Sequence, residues 1–408
     1  MRRGFMHSHG FKILVIFLGL TLCCVLGLAA SKHKNLGGKN PNNPPRHAVK
    51  SIQSEDGDII DCIDIYKQPS FEHPALKDHI IQLEPSYVPN KEENPTSEQP
   101  SRTVTSQQKW WRSGSCPKGT IPVRRSHHDE DLLSEQDYAA RKQPSLKIHE
   151  KNRAVPLLFI QKALVLTVGY NYAGVKGDMR VYQPFVEFDD EYSTTKLCLV
   201  SGPRYNFESV EAGWAVNPRT YGDRETRLYA YWTADASNKT GCFDVICPGF
   251  VQVSHEIALG AALSPISVIK GLPWLMTLFL FKDPDTNNIW VQYEGRINIG
   301  YWPADLFGTL SYGAEAAEWG GEVYSTKLGR PPHTGTHMGN GRFPDGGTGN
   351  SGYFKRLRVL DISLNLKLPE WMTTYEDEYF CYRGDYISDY IEDPEFYYGG
   401  PGRNWRCP

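Results

Sequence analysis

The sequence of 408 residues has no strong excess of either charge, because its formal net charge is only −3. Such a balance gives no electrostatic reason to expect nucleic acid or an acidic membrane surface as a partner. Helical periodicity is scarce, no internal repeat is evident, and the Ser, His and Cys residues show no recognisable nucleophile motif. By contrast, Gly (37), Pro (28), Tyr (23), Phe (17) and Trp (10) are abundant, a mixture that favours strands and turns over helices.

Only one long apolar run is present, from Ile13 to Ala30, and it follows Arg2 and Arg3. A short basic region, an apolar run and small residues at its end predict a secretory signal peptide over residues 1–30. The alternative is an uncleaved anchor helix, since the run of 18 residues is just long enough to span a bilayer. Both alternatives send the rest of the chain into the secretory route, so we expect a secreted protein.

Cysteine is sparse, with nine residues in all, of which Cys23 and Cys24 lie in the apolar run. In an oxidising compartment the other seven are expected to pair, with one left over. Their positions around a short loop, the C-terminal tail and the N-terminal part favour three pairs: Cys242–Cys247, Cys381–Cys407 and Cys62–Cys116. The remaining Cys198 alternates with apolar residues and is predicted to be a buried free thiol.

After the apolar run, polar stretches alternate with stretches that have the hydrophobic pattern of strands or helices. Residues 31 to about 60 are polar and predicted to be flexible. The stretch Asp58 to Pro89 begins like a strand and is predicted to contain a short amphipathic helix around Ala75 to Leu83. Polar linkers are predicted from Asn90 to about Gln108 and, with strong charge and little pattern, over residues 126–152.

From about Ala154 the chain reads as many short alternating strands separated by turns, including a hairpin with the loop Asp283 to Asn288. This pattern of strands and turns predicts an all-β fold, an antiparallel β-sandwich over residues 151–408. A small N-terminal segment over residues 31–150 is predicted to precede it. Asn238 begins an Asn-Lys-Thr sequence, which is a glycosylation acceptor in a secreted protein.

Two predicted strands place carboxylates on faces with little side-chain bulk. In SVEAGWAVNP, residues 209–218, Glu211 shares its face with Gly and Ala, and in AAEWGGEVYS, residues 316–325, Gly320 lies between Glu318 and Glu322. Glycine inside a strand often marks the close approach of a ligand or a backbone. If the two faces meet, they form a site of paired carboxylates; the alternative is solvated Glu on the polar face of an antiparallel sheet.

Dispersed motifs from about residue 57 to the C-terminus resemble the plant neprosin family. DIIDCIDIYKQPSFEHPALKDH resembles its activation peptide, and SVEAGWAVNP, RLYAYWTADASNKTGCFDVICPGFVQ, IGYWPADLF, EWGGEVYS and YYGGPGRNWRCP resemble its catalytic domain. The resemblance implies a secreted glutamic endopeptidase that cleaves after proline at acidic pH, has an antiparallel β-sandwich and is made as a zymogen. It departs at Cys198, where the family usually has an aromatic or aliphatic residue, which puts local packing in doubt.

By motif, the catalytic pair maps onto Glu211 and onto the WGGE segment, where Glu322 is favoured over Glu318. The resemblance implies a water activated by Glu211 as base, with Glu322 as acid, and no metal or other cofactor. Proline-containing peptides or proteins are the expected substrate. Candidate substrate-binding residues are Trp214, Trp319, Gly320 and Tyr324. Because most buried Trp residues belong to the core, at least one of the two Trp residues is expected to line the core of the sheet.

The N-terminal unit resembles an inhibitory prosegment, which makes the protein its own intramolecular partner. Its predicted linker offers a post-proline bond at Gln143-Pro144-Ser145, and Arg124-Arg125 is a dibasic alternative. His127 and His128 are either sensors of acidification or, as the linker composition favours, solvated linker residues.

Two other classes of function stay open at this point. Paired carboxylates on an aromatic-rich sandwich also suit a carbohydrate-active protein, since two carboxyl groups hydrolyse glycosides. A non-catalytic extracellular or cell-wall binding module could keep the same sandwich with a silent site. A membrane is expected as a partner only if the N-terminal run is an uncleaved anchor.

Overall fold

The computed structural model describes residues 47–89, 104–125, 159–345, 350–389 and 393–408. All of these residues belong to one compact unit, residues 44–408. Within these ranges no helix has both the length and the apolar character that a membrane crossing requires. The predicted signal peptide or anchor lies outside the described residues.

Strands dominate the described residues, and helices are limited to single turns. The strands are β1 Ala48–Gln53, β2 Ile59–Asp64, β3 Val104–Thr105, β4 Gln107–Gln108, β5 Thr120–Arg124, β6 Ile160–Tyr172, β7 Gly174–Arg180, β8 Tyr192–Ser201, β9 Glu208–Val216, β10 Arg227–Thr233, β11 Cys242–Phe243, β12 Val251–Gln252, β13 Leu263–Ser264, β14 Trp274–Lys282, β15 Ile289–Tyr293, β16 Ile297–Trp302, β17 Ala314–Tyr324, β18 Gly352–Leu360, β19 Leu366–Lys367, β20 Thr373–Glu376, β21 Arg383–Ile387 and β22 Glu395–Gly399. The helical turns are α1 Pro218–Tyr221 and the 3₁₀ turns Ile65–Lys67, Pro69–Glu72, Pro74–Leu76, Lys109–Arg112 and Ala304–Leu306.

Two large sheets form the sandwich. One has seven strands in the order β11-β10-β9-β8-β17-β6-β20, and the other follows the path β12-β16-β15-β14-β7-β18-β22-β21, with β19 on β18 and β3 on β14. Every pairing within the seven-stranded sheet is antiparallel, and most buried apolar side chains of both sheets belong to one core cluster. The predicted all-β antiparallel sandwich is confirmed, and so is the hairpin loop between Lys282 and Ile289.

Three disulfides join the described cysteines, in the pairs predicted from the sequence: Cys62–Cys116, Cys242–Cys247 and Cys381–Cys407. The remaining described cysteine, Cys198, is a buried free thiol, which confirms that prediction too. One disulfide therefore closes the N-terminal part, one closes a short loop after β11, and one ties the C-terminal residues to the turn before β21.

The N-terminal part is more ordered than its polar composition predicts. Residues 48–53 form β1, which pairs with β2 in a three-stranded sheet completed by β5, so the prediction of flexibility up to residue 60 is wrong. At the end of the predicted linker, β3 adds to β14 and β4 pairs with β13. These short polar strands are held by edges of the large domain, and that partner is not visible in local composition.

The amphipathic helix predicted around Ala75 to Leu83 is also wrong. The 3₁₀ turn Pro74–Leu76 occupies its beginning, a second 3₁₀ turn, Pro69–Glu72, precedes it, and the chain contains no helix from residue 77 to residue 89. Proline lacks the backbone N–H that a continuing helix needs, so a helix cannot run through Pro74 from the preceding turn. Leu76 still reaches the main core, which accounts for the apolar spacing that suggested a helix.

Candidate active site

Three adjacent strands of the seven-stranded sheet bring the two predicted glutamates together. β8 lies between β9 and β17; Glu211 on β9 is opposite Cys198, and Glu322 on β17 is opposite Thr194. Because opposite residues of paired strands share a face, both carboxylates lie on the face that carries Lys196, the residue between these two positions on β8. The sequence prediction of one shared face therefore holds in the structure.

Lys196 joins the two carboxylates. Its Nζ donates to Oε2 of Glu211 at 2.7 Å and to Oε2 of Glu322 at 2.6 Å. The two oxygens are therefore no more than 5.3 Å apart, the sum of these distances. All three residues are buried, with exposed fractions of 2% for Lys196 and Glu211 and 1% for Glu322.

Two tyrosines also donate hydrogen bonds to the pair. Tyr192 donates its hydroxyl to Oε1 of Glu322 at 2.8 Å, and Tyr229 donates to Oε1 of Glu211 at 3.1 Å. Each carboxylate thus accepts from Lys196 and from one tyrosine, and hydrogen bonds donated to a carboxylate favour its ionised form. These contacts surround the two carboxylates in the same way, so they do not by themselves assign the roles of acid and base.

The electrostatics keep the donors protonated. Burial lowers the pKa of Lys196, but the charges of Glu211 and Glu322 outweigh it and raise that pKa well above the ordinary value. Burial and the neighbouring carboxylates raise the pKa of Tyr192 and Tyr229 well above that of a free phenol. The five side chains therefore form a buried network with two anions, one cation and two neutral donors when both carboxyls are ionised.

The network forms part of the wall of a groove of about 510 Å³ on the face of the sheet turned away from the core. Lys196, Glu211 and Glu322 line it, together with Glu318, Lys162 and Tyr231. Leu164, Leu166, Val200 and Phe207 give the groove apolar walls. An apolar cleft with a few convergent polar groups and shifted pKa values is the usual form of a small-substrate site.

The two glycines opposite Lys196 are needed by the backbone. Gly213 and Gly320 face Lys196 from either side in the strand register. A Cβ on Gly213 would lie 1.8 Å from the carbonyl oxygen of Thr195, and one on Gly320, whose φ is +154°, would lie 2.3 Å from that of Ala163. The prediction that Gly320 opens space between carboxylates is corrected, since this space is filled by close strand packing.

Trp214 and Trp319 lie on the opposite face of the sheet, inside the core, where neither indole reaches the groove. Trp214 donates its indole N–H to the Arg180 carbonyl at 3.0 Å, and Trp319 donates to that of Lys176 at 2.9 Å. Both acceptors belong to β7 in the other sheet, so the indoles link the two layers. This placement agrees with the expectation that at least one Trp lies in the core. The prediction that Trp214 or Trp319 contacts substrate is corrected, because strand alternation points both side chains away from the carboxylates.

Replacing Trp214 by Phe is expected to lower the free energy of unfolding by about 1–3 kcal/mol, because the Arg180 carbonyl loses its buried donor. Urea unfolding of the full chain measures this loss. The apparent KM for a peptide substrate should stay within a factor of two of the parental value. A large rise in KM with unchanged stability would instead place Trp214 in substrate binding.

Gly320 and Tyr324 do not line the groove either. Tyr324 is buried and stacks on Tyr192, with ring centroids 5.3 Å apart, so it supports a residue that bonds to Glu322. Glu318 does line the groove, and its Oε2 is buried without a hydrogen-bond partner among the described residues. Of the two candidates for the second carboxylate, only Glu322 bonds to Lys196 together with Glu211.

Among the residues that the structure describes, two further groups of reactive side chains add neither a nucleophile nor a metal site. Burial raises the pKa of Cys198, and the charges of Glu318 and Glu211 raise it further, so this groove residue stays a thiol. His333 and Glu378 lie near Cys381 and Cys407, but those two sulfurs are joined in a disulfide and offer no thiolate to a metal. Asn238 is exposed, as a glycosylation acceptor must be.

Lys196 is the functional residue that sequence reasoning missed. In KLCLVSG it is two residues from Cys198, which places both side chains on one face of a strand. That alternation is a signal for a lysine on the polar face, but it does not identify the strands on either side. The His127–His128 pair and the Gln143-Pro144-Ser145 bond lie outside the described residues.

Comparison with known families decides what this chain is. Residues 189–401 match the neprosin family, and residues 51–175 match the neprosin activation peptide. The chain belongs to the neprosin family. The neprosin match contains Glu211, Lys196 and Glu322, and the activation-peptide match extends through β6, past the predicted domain boundary at residue 150. Because β6 pairs with β17 and β20, it is an integral strand of the sandwich.

The solved structures that this neprosin-family chain resembles match it only weakly. Scytalido-glutamic peptidase with a transition-state analogue inhibitor has 10% identity and a TM-score of 0.32, covering 58% of this chain and 98% of that one. SCP-B, a member of the eqolisin family of peptidases in complex with the tripeptide Ala-Ile-His, has 9% identity and a TM-score of 0.30, covering 59% and 97%. A β-porphyranase from the human gut bacterium Bacteroides plebeius has 11% identity and a TM-score of 0.21, covering 40% and 56%. Scores this low support no conclusion about activity.

Proposed function

We propose that this protein is the secreted zymogen of a glutamic endopeptidase that hydrolyses peptide bonds after proline at acidic pH. One observation carries the proposal: Glu211 and Glu322, from separate strands of a neprosin-family domain, converge on one lysine in the wall of a groove. Paired carboxyl groups are sufficient for hydrolysis without a metal or a nucleophilic side chain. One carboxylate can take a proton from the attacking water, and the other carboxyl can protonate the leaving group.

The reaction consumes one water molecule. In the proposed sequence, Glu211 accepts a proton from water while the water oxygen attacks the peptide carbonyl carbon. Glu322, in its protonated form, donates its proton to the leaving nitrogen as the C–N bond breaks, and Glu211 then holds the proton taken from water. The products are a carboxylic acid and an amine, and a proton transfer between the carboxyl groups restores the starting state.

The shape and lining of the groove are consistent with a peptide substrate. Its volume of about 510 Å³ can hold a few residues of an extended chain. Leu164, Leu166 and Phe207 supply apolar surface for a proline ring, which has no backbone N–H to be satisfied. This complementarity supports the proposed preference for proline.

The activation segment packs against the rest of the domain without lining the groove. Gln68 exchanges hydrogen bonds with the Gln252 backbone, and Gln108 does the same with the Ala258 backbone. None of the described residues between 47 and 125 lines the groove. We therefore propose that the segment keeps the precursor inactive by binding to this surface outside the groove. Its removal, after cleavage in the 126–152 stretch, completes activation.

A digest of a peptide library at acidic pH tests the proposal. The parental protein should cleave after proline, and Glu211→Gln should abolish those products, while Glu256→Gln, at an exposed carboxylate, should give the parental pattern. A polysaccharide panel belongs in the same assay, because carboxyl oxygens within 5.3 Å also fall near the separation of about 5–5.5 Å in retaining glycosidases. Sugar release without peptide cleavage, or parental cleavage by Glu211→Gln, would overturn the peptidase assignment.

A further inference from the structure

The position of Lys196 has a consequence for the proton that the proposed reaction needs. Its Nζ lies between the two carboxylates, within hydrogen-bond distance of both. Two close carboxylates without a cation would repel each other, and one of them would retain a proton to relieve that repulsion. A buried ammonium group at this point supplies the compensating charge instead, so both carboxylates can be ionised together.

The hydrogen bonds have the same effect as the charge. Tyr192 and Tyr229 donate to the oxygens that Lys196 leaves open. A protonated carboxyl is itself a donor and would meet ammonium and phenol donors at these positions. To act as an acid, a carboxyl must therefore take up a proton and give up at least part of these contacts.

We propose that Lys196 is a positioning residue whose charge holds Glu211 and Glu322 ionised together and so confines the hydrolysis to acid. The inference rests on the proposed peptidase function, and it deepens that function by naming what sets its pH range. At neutral pH the site is a closed ion triad of net charge −1. Uptake of one proton neutralises it, weakens the hold of Lys196 and produces the carboxyl that protonates the substrate.

Other titratable and charged groups surround the triad and can also influence this equilibrium. The titratable and charged groups around the triad are Tyr192 and Cys198 on β8, Tyr229 and Tyr231 on β10, Glu318 on β17, Lys162 on β6, and Arg204, Tyr375 and Asp377 in the rest of the groove. Lys162 and Glu318 bear opposite charges. Burial lowers the pKa of Lys162, but Glu318 and other neighbours raise it by more, so the pKa lies above its ordinary value. Lys196 is the cation that directly contacts both carboxylates.

The test compares the pH dependence of peptide cleavage in the parental protein, Lys196→Met, Lys196→Gln and Lys196→Arg, with the exposed Lys239→Met as control. Loss of the charge should move the alkaline midpoint of activity upward by at least one pH unit in Lys196→Met and Lys196→Gln. Lys196→Arg keeps the charge and should move it less, and Lys239→Met should not move it. An unchanged or lowered midpoint in both neutral variants would overturn the inference.

A second measurement does not depend on activity. In full chain labelled with ¹³C at the Glu side-chain carboxyl, Glu211→Gln and Glu322→Gln identify the two signals. Both should remain ionised in the parental protein at about pH 5, above the ordinary Glu value of about 4.3, and one should be protonated there in Lys196→Gln. A parental carboxyl still protonated at about pH 7 would overturn the inference even if every Lys196 variant misfolds. If the carboxyls titrate as predicted but no peptide is cleaved at any pH, the peptidase proposal is wrong and the charge assignment remains valid.

Discussion

Replacing Glu322 by Gln is expected to slow cleavage of a proline-containing peptide by about 10²–10⁴-fold, the range that general acid–base groups contribute. Gln keeps the size of the side chain and can still accept from Tyr192, but it neither takes up nor releases a proton. Glu318→Gln, four residues away on the same strand and face, should slow the reaction by less than about tenfold. The measurement is kcat/KM at the acidic optimum.

The comparison between these two variants is well matched. Both glutamates line the groove, yet only Glu322 lies within 2.6 Å of the lysine that also holds Glu211. Both variants remove one carboxylate from β17, so a general change in groove charge would affect them alike. Equal losses would indicate such a general charge effect, and a larger loss in Glu318→Gln would mean that the second carboxylate of the reaction is Glu318.

Strand alternation explains why the sequence located the carboxylates correctly. A period of two fixes which side chains share a face, so Glu211 and Trp214 had to point in opposite directions, as Glu322 and Trp319 had to. The sequence could not say that β8 separates β9 from β17, because strand order is a property of the whole sheet. Lys196 therefore remained undetected, although it is the residue that connects the two predicted ones.

The activation segment shows the limit of composition-based reasoning. Val104–Thr105 and Gln107–Gln108 read as linker because they are short and polar, but edges of the large domain give them hydrogen-bond partners. Trp110 and Cys116, by contrast, form a small apolar core with Ile52 and Cys62. Local pattern predicts such an apolar cluster, whereas docking of polar strands depends on the surface they meet.

Asp58→Asn is expected to lower the free energy of unfolding of the precursor by about 3–5 kcal/mol at pH 7, as for other buried ion pairs that lose one partner. Asp58 precedes β2 in the activation segment and accepts from Arg227 of β10 at 2.6 Å and from Arg124 at 2.8 Å. Its side chain and those of both arginines are buried. Asn keeps the size but removes the buried charge that compensates these guanidinium groups.

Asp223→Asn is the matched control, because Asp223 also bonds to Arg227 but has a side chain that is 36% exposed. Its loss should cost no more than about 1 kcal/mol, in the range of solvent-accessible pairs. Urea unfolding of the full chains gives both values, provided that the slopes agree with the parental slope. Equal costs for the two variants would show that the buried contact has no special role in holding the segment.

The pH dependence of this effect separates the ion pair from the histidines of the same segment. Burial raises the pKa of Asp58, but Arg227 and Arg124 outweigh it and bring it below 3.8. Its contribution to stability is thus complete above about pH 3.8 and lost as the pH falls towards the lowered value. The difference between parental protein and Asp58→Asn should therefore stay constant from pH 7 to pH 5 and shrink only below about pH 3.8.

Burial lowers the pKa of His73 and His79 below 6.5, so the stability that these residues contribute is present above that value and is lost as the pH falls through their folded-state pKa. Both proteins should weaken together in mild acid while the gap between them stays open. We therefore expect the Asp58 contact to persist in mild acid, and we propose that release of the segment needs a cut in the chain as well as a fall in pH. A gap that closes already at pH 5 would assign the acid response to Asp58 instead.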